Sequence, residues 1–200
     1  NHATNGGAIS NSNSAPTISN TTFSKNSSDS TGGAIQHTIS VTTSNSLIIS
    51  HANFLENHSG TSGGAISSTS SATYGGITIS DSTFSKNSAD TGGGGAINNY
   101  HPTISNTLTI ISSSFSENQA SSGGAINNYR GYLSISDSNF SQNEATTGYG
   151  GAISNNLGDL TIWKTDFEEN RTVLATGGGA IYNPNPIGST HTLSITESTF

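Results

Sequence analysis

The stretch TFSKNSADTGGGGAI, residues 83–97, carries both motifs that decide the fold of this chain, F-x-x-N and G-G-A-I. Both motifs recur along the sequence, and successive G-G-A-I copies are 26, 31, 31, 29, 27 and 28 residues apart. The copies begin at Gly6, Gly32, Gly63, Gly94, Gly123, Gly150 and Gly178. Self-similarity at a period of roughly 20–50 residues is typical of a solenoid, in which each repeat buries its apolar face on the next.

A short alternating pattern, close to L-x-I-x-x-x-x-F, leads into each F-x-x-N motif and predicts a strand with one buried face. In aligned copies the Ile and Phe residues form columns that we expect to point inward and stack from coil to coil. The Ile stack is Ile18, Ile49, Ile79, Ile110, Ile135, Ile162 and Ile195, and the Phe stack is Phe23, Phe54, Phe84, Phe115, Phe140, Phe167 and Phe200. We therefore predict an all-β parallel β-helix of about seven coils of 26–31 residues, each with about three short strands.

The Asn of F-x-x-N forms a third column, which predicts an inward-facing ladder of side-chain amides. A buried amide is costly unless it is bonded, and stacked copies can bond to one another. The predicted structural ladder is Asn26, Asn57, Asn87, Asn118, Asn143 and Asn170. On this interpretation, Asn87→Ala costs about 1–3 kcal/mol because its neighbours lose their partners.

The composition excludes several classes of function. With no cysteine among 200 residues there is no disulfide framework and no thiolate metal site. Five Lys and Arg residues against a net charge of −7 argue against a nucleic-acid partner. The longest clean apolar run is Leu47-Ile48-Ile49, far too short to span a membrane. An uncharged surface rich in Ser, Thr and Asn favours an extracellular or cell-surface protein.

The alternation of G-G-A-I with F-x-x-N resembles the repeats of the chlamydial polymorphic outer-membrane proteins. The resemblance extends over the whole chain, with seven G-G-A-I and six F-x-x-N copies. It implies a right-handed parallel β-helix, secreted or held on the cell surface, of the kind that forms the passenger of an autotransporter and acts in adhesion. The partner it implies is a protein or glycan on a host or neighbouring cell.

No constellation of residues predicts catalysis, a metal site or a cofactor, so we expect a non-enzymatic protein. Asp81 and Asp137 align on one outer column with Ser112 between them, at about 9.6 Å by strand spacing, too far apart to share a Ca²⁺ ion unaided. A second group, in which Asp166, Glu168 and Glu169 accompany Lys164 and Arg171, is interpreted as a solvated charged patch. The six His residues are interpreted as scattered over the surface; they are His2, His37, His51, His58, His101 and His191.

Two other functions stay open at this point. Columns of Thr and Ser beside the Ile stack, interrupted by Ile48, Ile111 and Trp163, could form a flat ice-binding face. A polysaccharide lyase or hydrolase is the third possibility, because parallel β-helices include such enzymes. A glycan or protein platform is the functional interpretation of five aromatic residues, Trp163, Tyr100, Tyr129, Tyr132 and Tyr149. The segments after G-G-A-I, 14 to 19 residues from Ile to Phe, are loops of the variable kind that carry binding.

The two ends of the sequence fall inside repeats. Asn1 precedes Gly6 by the same interval that separates Asn118 from Gly123, and Phe200 opens an F-x-x-N motif. We expect residues 1–200 to be a single solenoid domain, excerpted from a longer repeat array. The alternative is a fibre subunit that stacks head to tail on copies of itself, because heterologous contacts propagate without closing.

Overall fold

The computed structural model describes residues 1–40, 45–70, 75–101, 106–173, 177–184 and 190–200. Within these ranges the chain winds into a parallel β-solenoid whose strands form four sheets, three of seven strands and one of six. Six turns are complete, and the seventh adds a strand to three of the sheets. The predicted all-β parallel solenoid is confirmed, at six complete turns where about seven were predicted; its right hand stays a prediction.

Each turn passes through the four sheets in a constant order. The first sheet has strands of two residues: β1 (His2–Ala3), β5 (Ser27–Ser28), β9 (His58–Ser59), β13 (Ser88–Ala89), β17 (Gln119–Ala120), β21 (Glu144–Ala145) and β25 (Arg171–Thr172). The second follows G-G-A: β2 (Ile9–Ser12), β6 (Ile35–Ile39), β10 (Ile66–Ser70), β14 (Ile97–Tyr100), β18 (Ile126–Tyr129), β22 (Ile153–Asn156) and β26 (Ile181–Tyr182).

The third and fourth sheets lie on either side of a tight corner. The third holds the Ile stack: β3 (Thr17–Ser19), β7 (Leu47–Ser50), β11 (Gly76–Ser80), β15 (Thr107–Ile111), β19 (Tyr132–Ser136), β23 (Leu160–Trp163) and β27 (Leu193–Thr196). The fourth holds the Phe stack: β4 (Thr22–Ser24), β8 (Asn53–Leu55), β12 (Thr83–Ser85), β16 (Ser114–Ser116), β20 (Asn139–Ser141) and β24 (Asp166–Glu168).

The expectation of about three strands per coil was wrong, because single residues turn the chain where the sequence shows no glycine. Between the third and fourth sheets the turn residue has a left-handed backbone, as in Asp81 (φ 49°) and Lys164 (φ 45°). Between the fourth and first sheets the same conformation occurs at Lys86 (φ 56°) and Glu117 (φ 54°). A left-handed backbone is uncommon for residues other than Gly, Asn and Asp. The sequence therefore gives no sign of these two corners.

The G-G pair makes the corner between the first and second sheets, and its two glycines serve different needs. Gly94 has φ +73°, a left-handed conformation that glycine adopts without strain. The second glycine needs space instead: a Cβ on Gly95 would lie 2.2 Å from the carbonyl oxygen of Gly124 in the next coil. The motif therefore permits coils to approach closely at this corner.

The interior is filled by stacked copies of the same side chains. Successive Phe rings are parallel, with centroids 4.6–5.1 Å apart from Phe23 to Phe200. The Ile residues of the third sheet are paired one to one in register. Members in the middle of each stack are buried, whereas Ile18 is half-buried and Ile195 and Phe200 are exposed on the outermost coils.

Candidate functional site

The amides of F-x-x-N form a continuous chain of hydrogen bonds along the solenoid interior. Asn57 Nδ2 donates to Asn87 Oδ1 at 2.9 Å, and Asn87 Nδ2 donates to Asn118 Oδ1 at 3.0 Å. Each Oδ1 also accepts the backbone N–H of the preceding coil's Asn, for example from Asn57 at 3.0 Å. The same geometry links Asn26, Asn143 and Asn170 into the ladder, and Asn1 donates to Asn26. Their neighbours satisfy these amides, which places them in the architecture and not in a ligand site.

A second amide ladder runs along the second sheet, and the sequence analysis missed it. Asn99 Nδ2 donates to Asn128 Oδ1 at 2.7 Å, and Asn128 Nδ2 donates to Asn155 Oδ1 at 2.7 Å. Asn155 continues the ladder to Asn183 at 2.6 Å. The signal was present, because the column two residues after the Ile of G-G-A-I is mostly asparagine: Asn11, His37, Ser68, Asn99, Asn128, Asn155 and Asn183.

Two histidines lie in this interior column or beside it, so the interpretation of all six His residues as scattered surface residues was wrong. His37 and His101 are fully buried. His101 Nε2 lies 2.6 Å from Asn99 Oδ1, and its Nδ1 lies 2.8 Å from the Asn106 amide nitrogen. These partners fit a neutral ring that donates through Nε2 and accepts through Nδ1. Burial lowers the pKa of His101 to about 4, and it also lowers the pKa of His37.

On the outer surface, charged and polar side chains of neighbouring coils pair along the corner between the fourth and first sheets. Lys25 Nζ lies 3.6 Å from Glu56 Oε2, and Lys86 Nζ lies 3.8 Å from Glu117 Oε2. Further along, Arg171 donates to Glu144 Oε2 at 2.8 Å, which lowers the pKa of that carboxyl. Exposed pairs of this kind contribute little to stability, and their alternation favours one register of the coils.

Of the carboxylates weighed for catalysis, Asp81, Asp137 and Asp166 line one surface groove and Glu169 lines another. Asp81 and Asp137 lie with Ser112 on one wall of a surface groove, whereas Asp166 lies on the opposite wall. Glu169 faces a different groove with Arg171, so the group expected around Asp166 is divided between two corners. In the described part of the chain, no three His, Asp or Glu side chains are grouped closely enough to hold a metal ion.

The aromatic residues of the predicted platform are divided among three corners. Tyr100 and Tyr129 end neighbouring strands of the second sheet and stack at 4.9 Å, with the Arg130 guanidinium 5.4 Å from the Tyr129 ring centroid. Tyr132 begins a strand of the third sheet just beyond this pair and is exposed. Trp163 ends a strand of the third sheet at another corner, beside Lys164.

Tyr149 lies apart from all of these, at the corner before the second sheet, where it stacks on Tyr182 at 4.3 Å. The variable loops after G-G-A-I fall partly outside the described residues, at 41–44, 71–74, 102–105 and 185–189. The compact aromatic feature among the described residues is therefore the corner of Tyr100, Tyr129, Arg130 and Tyr132, which we call the tyrosine corner.

The outer face of the third sheet is the surface that ice binding would use. One outward column contains Thr78, Thr109 and Thr161 in register, with the exposed Ile48 among them. The column at the strand ends contains the exposed Ile111 and Trp163 among serines. These exposed apolar residues interrupt the hydroxyl columns and argue against ice binding, which stays an alternative. Head-to-tail stacking of copies stays a prediction as well.

None of the described residues forms a helix with the length and hydropathy needed to cross a membrane. A family model for the Chlamydia polymorphic membrane protein repeat matches residues 20–38, 81–100, 112–129 and 164–184. Each matched stretch contains one F-x-x-N and the following G-G-A-I, which is the segment that crosses the fourth, first and second sheets. Neither a curated protein nor a solved structure is similar enough to the chain to match.

Proposed function

Because the chain is a β-solenoid of Chlamydia polymorphic membrane protein repeats, we propose that it is a non-enzymatic adhesive rod displayed outside the cell as the passenger of an autotransporter. Its partner is a protein or glycan on the surface of a host or neighbouring cell. The repeat supports the surface location, and the outward side chains supply the contacts. The interior is occupied by the Ile, Phe and Asn stacks, which leave the outer faces for recognition.

The observation that carries this proposal is the tyrosine corner. Tyr100 and Tyr132 are 45% and 44% exposed, although burial of an aromatic ring would stabilise the fold. Stacking of Tyr100 on Tyr129 keeps both rings in one orientation before any partner arrives. Tyrosine and arginine are enriched at the centres of protein interfaces, where rigid rings bury a large area at little entropic cost.

The proposal of a non-enzymatic role is supported by the way the ionisable groups are used. Pairs such as Lys25–Glu56 and Arg171–Glu144 join neighbouring coils along the outside of the rod. General acid–base catalysis needs two such groups within reach of one bound substrate. Here the pairs act between coils, where they favour a single register.

The test is adhesion of beads coated with residues 1–200 to a monolayer of cultured epithelial cells, a host-like surface. The double variant Tyr100→Ala/Tyr129→Ala should reduce bead attachment about tenfold, because aromatic anchors contribute most of the energy of an interface. Tyr149→Ala is the matched control, since it removes a stacked tyrosine from a different corner. Equal attachment by the double variant and the control would refute the role of the tyrosine corner.

Display outside the cell has its own test. Antibodies raised against residues 1–200 should label intact cells of the source organism as strongly as permeabilised ones. Labelling that appears only after permeabilisation would refute the surface location, whatever the adhesion assay shows.

A further inference from the structure

A polar groove runs along the corner between the third and fourth sheets, parallel to the solenoid axis. It has a volume of about 680 Å³ and is lined by residues from four successive coils. Four coils at a spacing of ~4.8 Å place its first and last coil roughly 14 Å apart. We call it the corner groove.

The floor of the corner groove is a row of serines whose hydroxyls are committed to the fold. Ser113 Oγ donates to the Ile111 carbonyl oxygen at 2.8 Å and accepts the Ser82 backbone N–H at 3.2 Å. Ser138 repeats both contacts one coil later, at 2.7 Å to the Ser136 carbonyl and 3.1 Å from the Ser113 N–H. The floor is therefore rigid and its hydrogen bonds are satisfied.

The two walls carry the side chains that meet solvent. One wall is the column of left-handed turn residues, and the other is the first residue of each strand in the fourth sheet. The wall residues are Asp81, Ser112, Asp137 and Lys164 on one side and Thr83, Ser114, Asn139 and Asp166 on the other. Together they present carboxylates, hydroxyls, an amide and an ammonium group, with one set of groups per coil.

An apolar lip borders the first wall. Ile111 and Trp163 directly precede the wall residues Ser112 and Lys164, and these two residues are 38% and 39% exposed. The Trp163 ring keeps this exposure although the Lys164 ammonium lies 4.2 Å from its centroid. Ser136 lies between them in register, so the lip consists of two separate apolar side chains, of which the Trp163 ring is the larger. An exposed ring beside rows of polar groups matches a ligand that has apolar C–H faces and hydroxyl edges.

We propose that the corner groove binds a linear neutral glycan, with one sugar ring for each coil. A sugar ring in an extended β-1,4-linked chain advances the polymer by nearly one coil spacing, so successive rings lie beside the wall groups of successive coils. Sugar hydroxyls donate to the carboxylates and accept from the amide and ammonium groups. Three carboxylates, Asp81, Asp137 and Asp166, against the single Lys164 disfavour a polyanionic glycan. This inference gives a ligand class to the adhesive rod proposed above.

The experiment is titration of residues 1–200 with cellohexaose, followed by calorimetry and by the fluorescence of Trp163, the one tryptophan in the chain. Maltohexaose has the same sugar units in a coiled chain, and hexagalacturonate has an extended chain with negative charges. Both should bind at least about tenfold more weakly than cellohexaose. The coiled maltohexaose does not match the coil spacing, and the carboxylates of the groove repel the charged hexagalacturonate. Equal binding of cellohexaose and maltohexaose would overturn the proposal, since the match to the coil spacing would then have no effect.

Substitutions in and beside the corner groove test where cellohexaose binds. Trp163→Ala should weaken cellohexaose binding about tenfold through loss of the apolar lip, and Ser114→Arg should abolish it by filling the middle of the groove. Tyr149→Ala, at another corner, is the control and should bind as the native chain does. Unchanged binding by Ser114→Arg, with a native circular dichroism spectrum, would overturn the location. Shortening of cellohexaose during the titration would overturn the assignment as a binding site without catalysis.

The two proposals fail separately. If cellohexaose does not bind while Tyr100→Ala/Tyr129→Ala still reduces cell attachment, the corner groove proposal falls and the adhesive role stands. If cellohexaose binds while the coated beads ignore the cells, the glycan site stands and the adhesive role of the tyrosine corner falls.

Discussion

Removal of one amide from the middle of the F-x-x-N ladder tests the physical account of the interior. Asn87→Ala deletes four hydrogen bonds, because Asn87 Oδ1 accepts twice from Asn57 and its Nδ2 donates to Asn118 and to the Phe54 carbonyl. The Asn57 backbone N–H is left without that acceptor in a fully buried position. Asn57 Nδ2 keeps a second partner, the Phe23 carbonyl, and Asn118 Oδ1 keeps the backbone N–H of residue 87.

The expected cost follows from these four contacts. An orphaned buried donor costs about 1–3 kcal/mol, and each of the other bonds contributes about 0.5–1.5 kcal/mol. The free energy of unfolding should therefore fall by about 2.5–7.5 kcal/mol, whereas the sequence alone predicts about 1–3 kcal/mol. The difference arises because the sequence implied bonds between side chains only, whereas each Oδ1 also holds a backbone N–H.

Urea unfolding followed by circular dichroism measures this change. Asn127→Ala is the control: Asn127 is half-buried and donates one side-chain bond, at 2.9 Å to Asn98, so its removal should cost about 0.5–1.5 kcal/mol. Equal losses in the two variants would refute the argument that the ladder stabilises the solenoid through backbone groups that have no other partner.

Three further predictions follow from the same geometry. Gly95→Ala should prevent folding or lower the free energy of unfolding by more than about 4 kcal/mol, because the new Cβ would lie 2.2 Å from the Gly124 carbonyl oxygen. The control Gly177→Ala, whose Cβ would have its nearest contact at 3.1 Å, should melt near the native temperature. Burial lowers the pKa of His101 from 6.5 to about 4, so the unfolded chain binds a proton more readily than the folded chain does. The contribution of neutral His101 to the free energy of unfolding is therefore complete above pH 6.5, and about 3 kcal/mol of stability is lost as the pH falls towards 4. Urea titrations at several pH values check this, and a His101→Gln variant that keeps the full acid sensitivity would contradict it. A thermal-hysteresis measurement should show no arrest of ice growth, because exposed Ile and Trp side chains interrupt the hydroxyl columns, and an observed arrest would restore ice binding as a function.

Much of the solenoid could be predicted because each column of the repeat can be read directly from the linear sequence. Phe84 and Ile79 recur at constant positions relative to G-G-A-I, so a parallel stack with one copy per coil is the arrangement that buries them all. Lys25, Glu56, Lys86 and Glu117 also occupy one column of the repeat, and Lys86 Nζ lies 3.8 Å from Glu117 Oε2. A periodic sequence pattern predicts these contacts because the neighbours of a residue in the folded solenoid are the equivalent residues of adjacent repeats.

The candidate sites were harder to predict because they depend on which columns of one coil lie side by side. The aromatic residues looked like one platform, but Tyr149 and Trp163 lie at corners different from that of Tyr100 and Tyr129. The corner groove was invisible for a related reason. Its walls are separated in sequence by one buried serine or, between Lys164 and Asp166, by the buried Thr165, and they face each other because residues such as Asp137 adopt a left-handed backbone.

The sequence by itself determined the repeat, the stacking of Ile and Phe, and the F-x-x-N ladder, because these depend on identity between coils. Only the tertiary structure decided that each coil has four strands, that Asn99 starts a run of amides in a second ladder, and that His101 is buried and neutral. These features depend on the direction in which single residues turn the backbone within one coil. A left-handed Lys or Glu leaves no mark in the sequence, yet it decides which side chains point inward and which surfaces meet a partner.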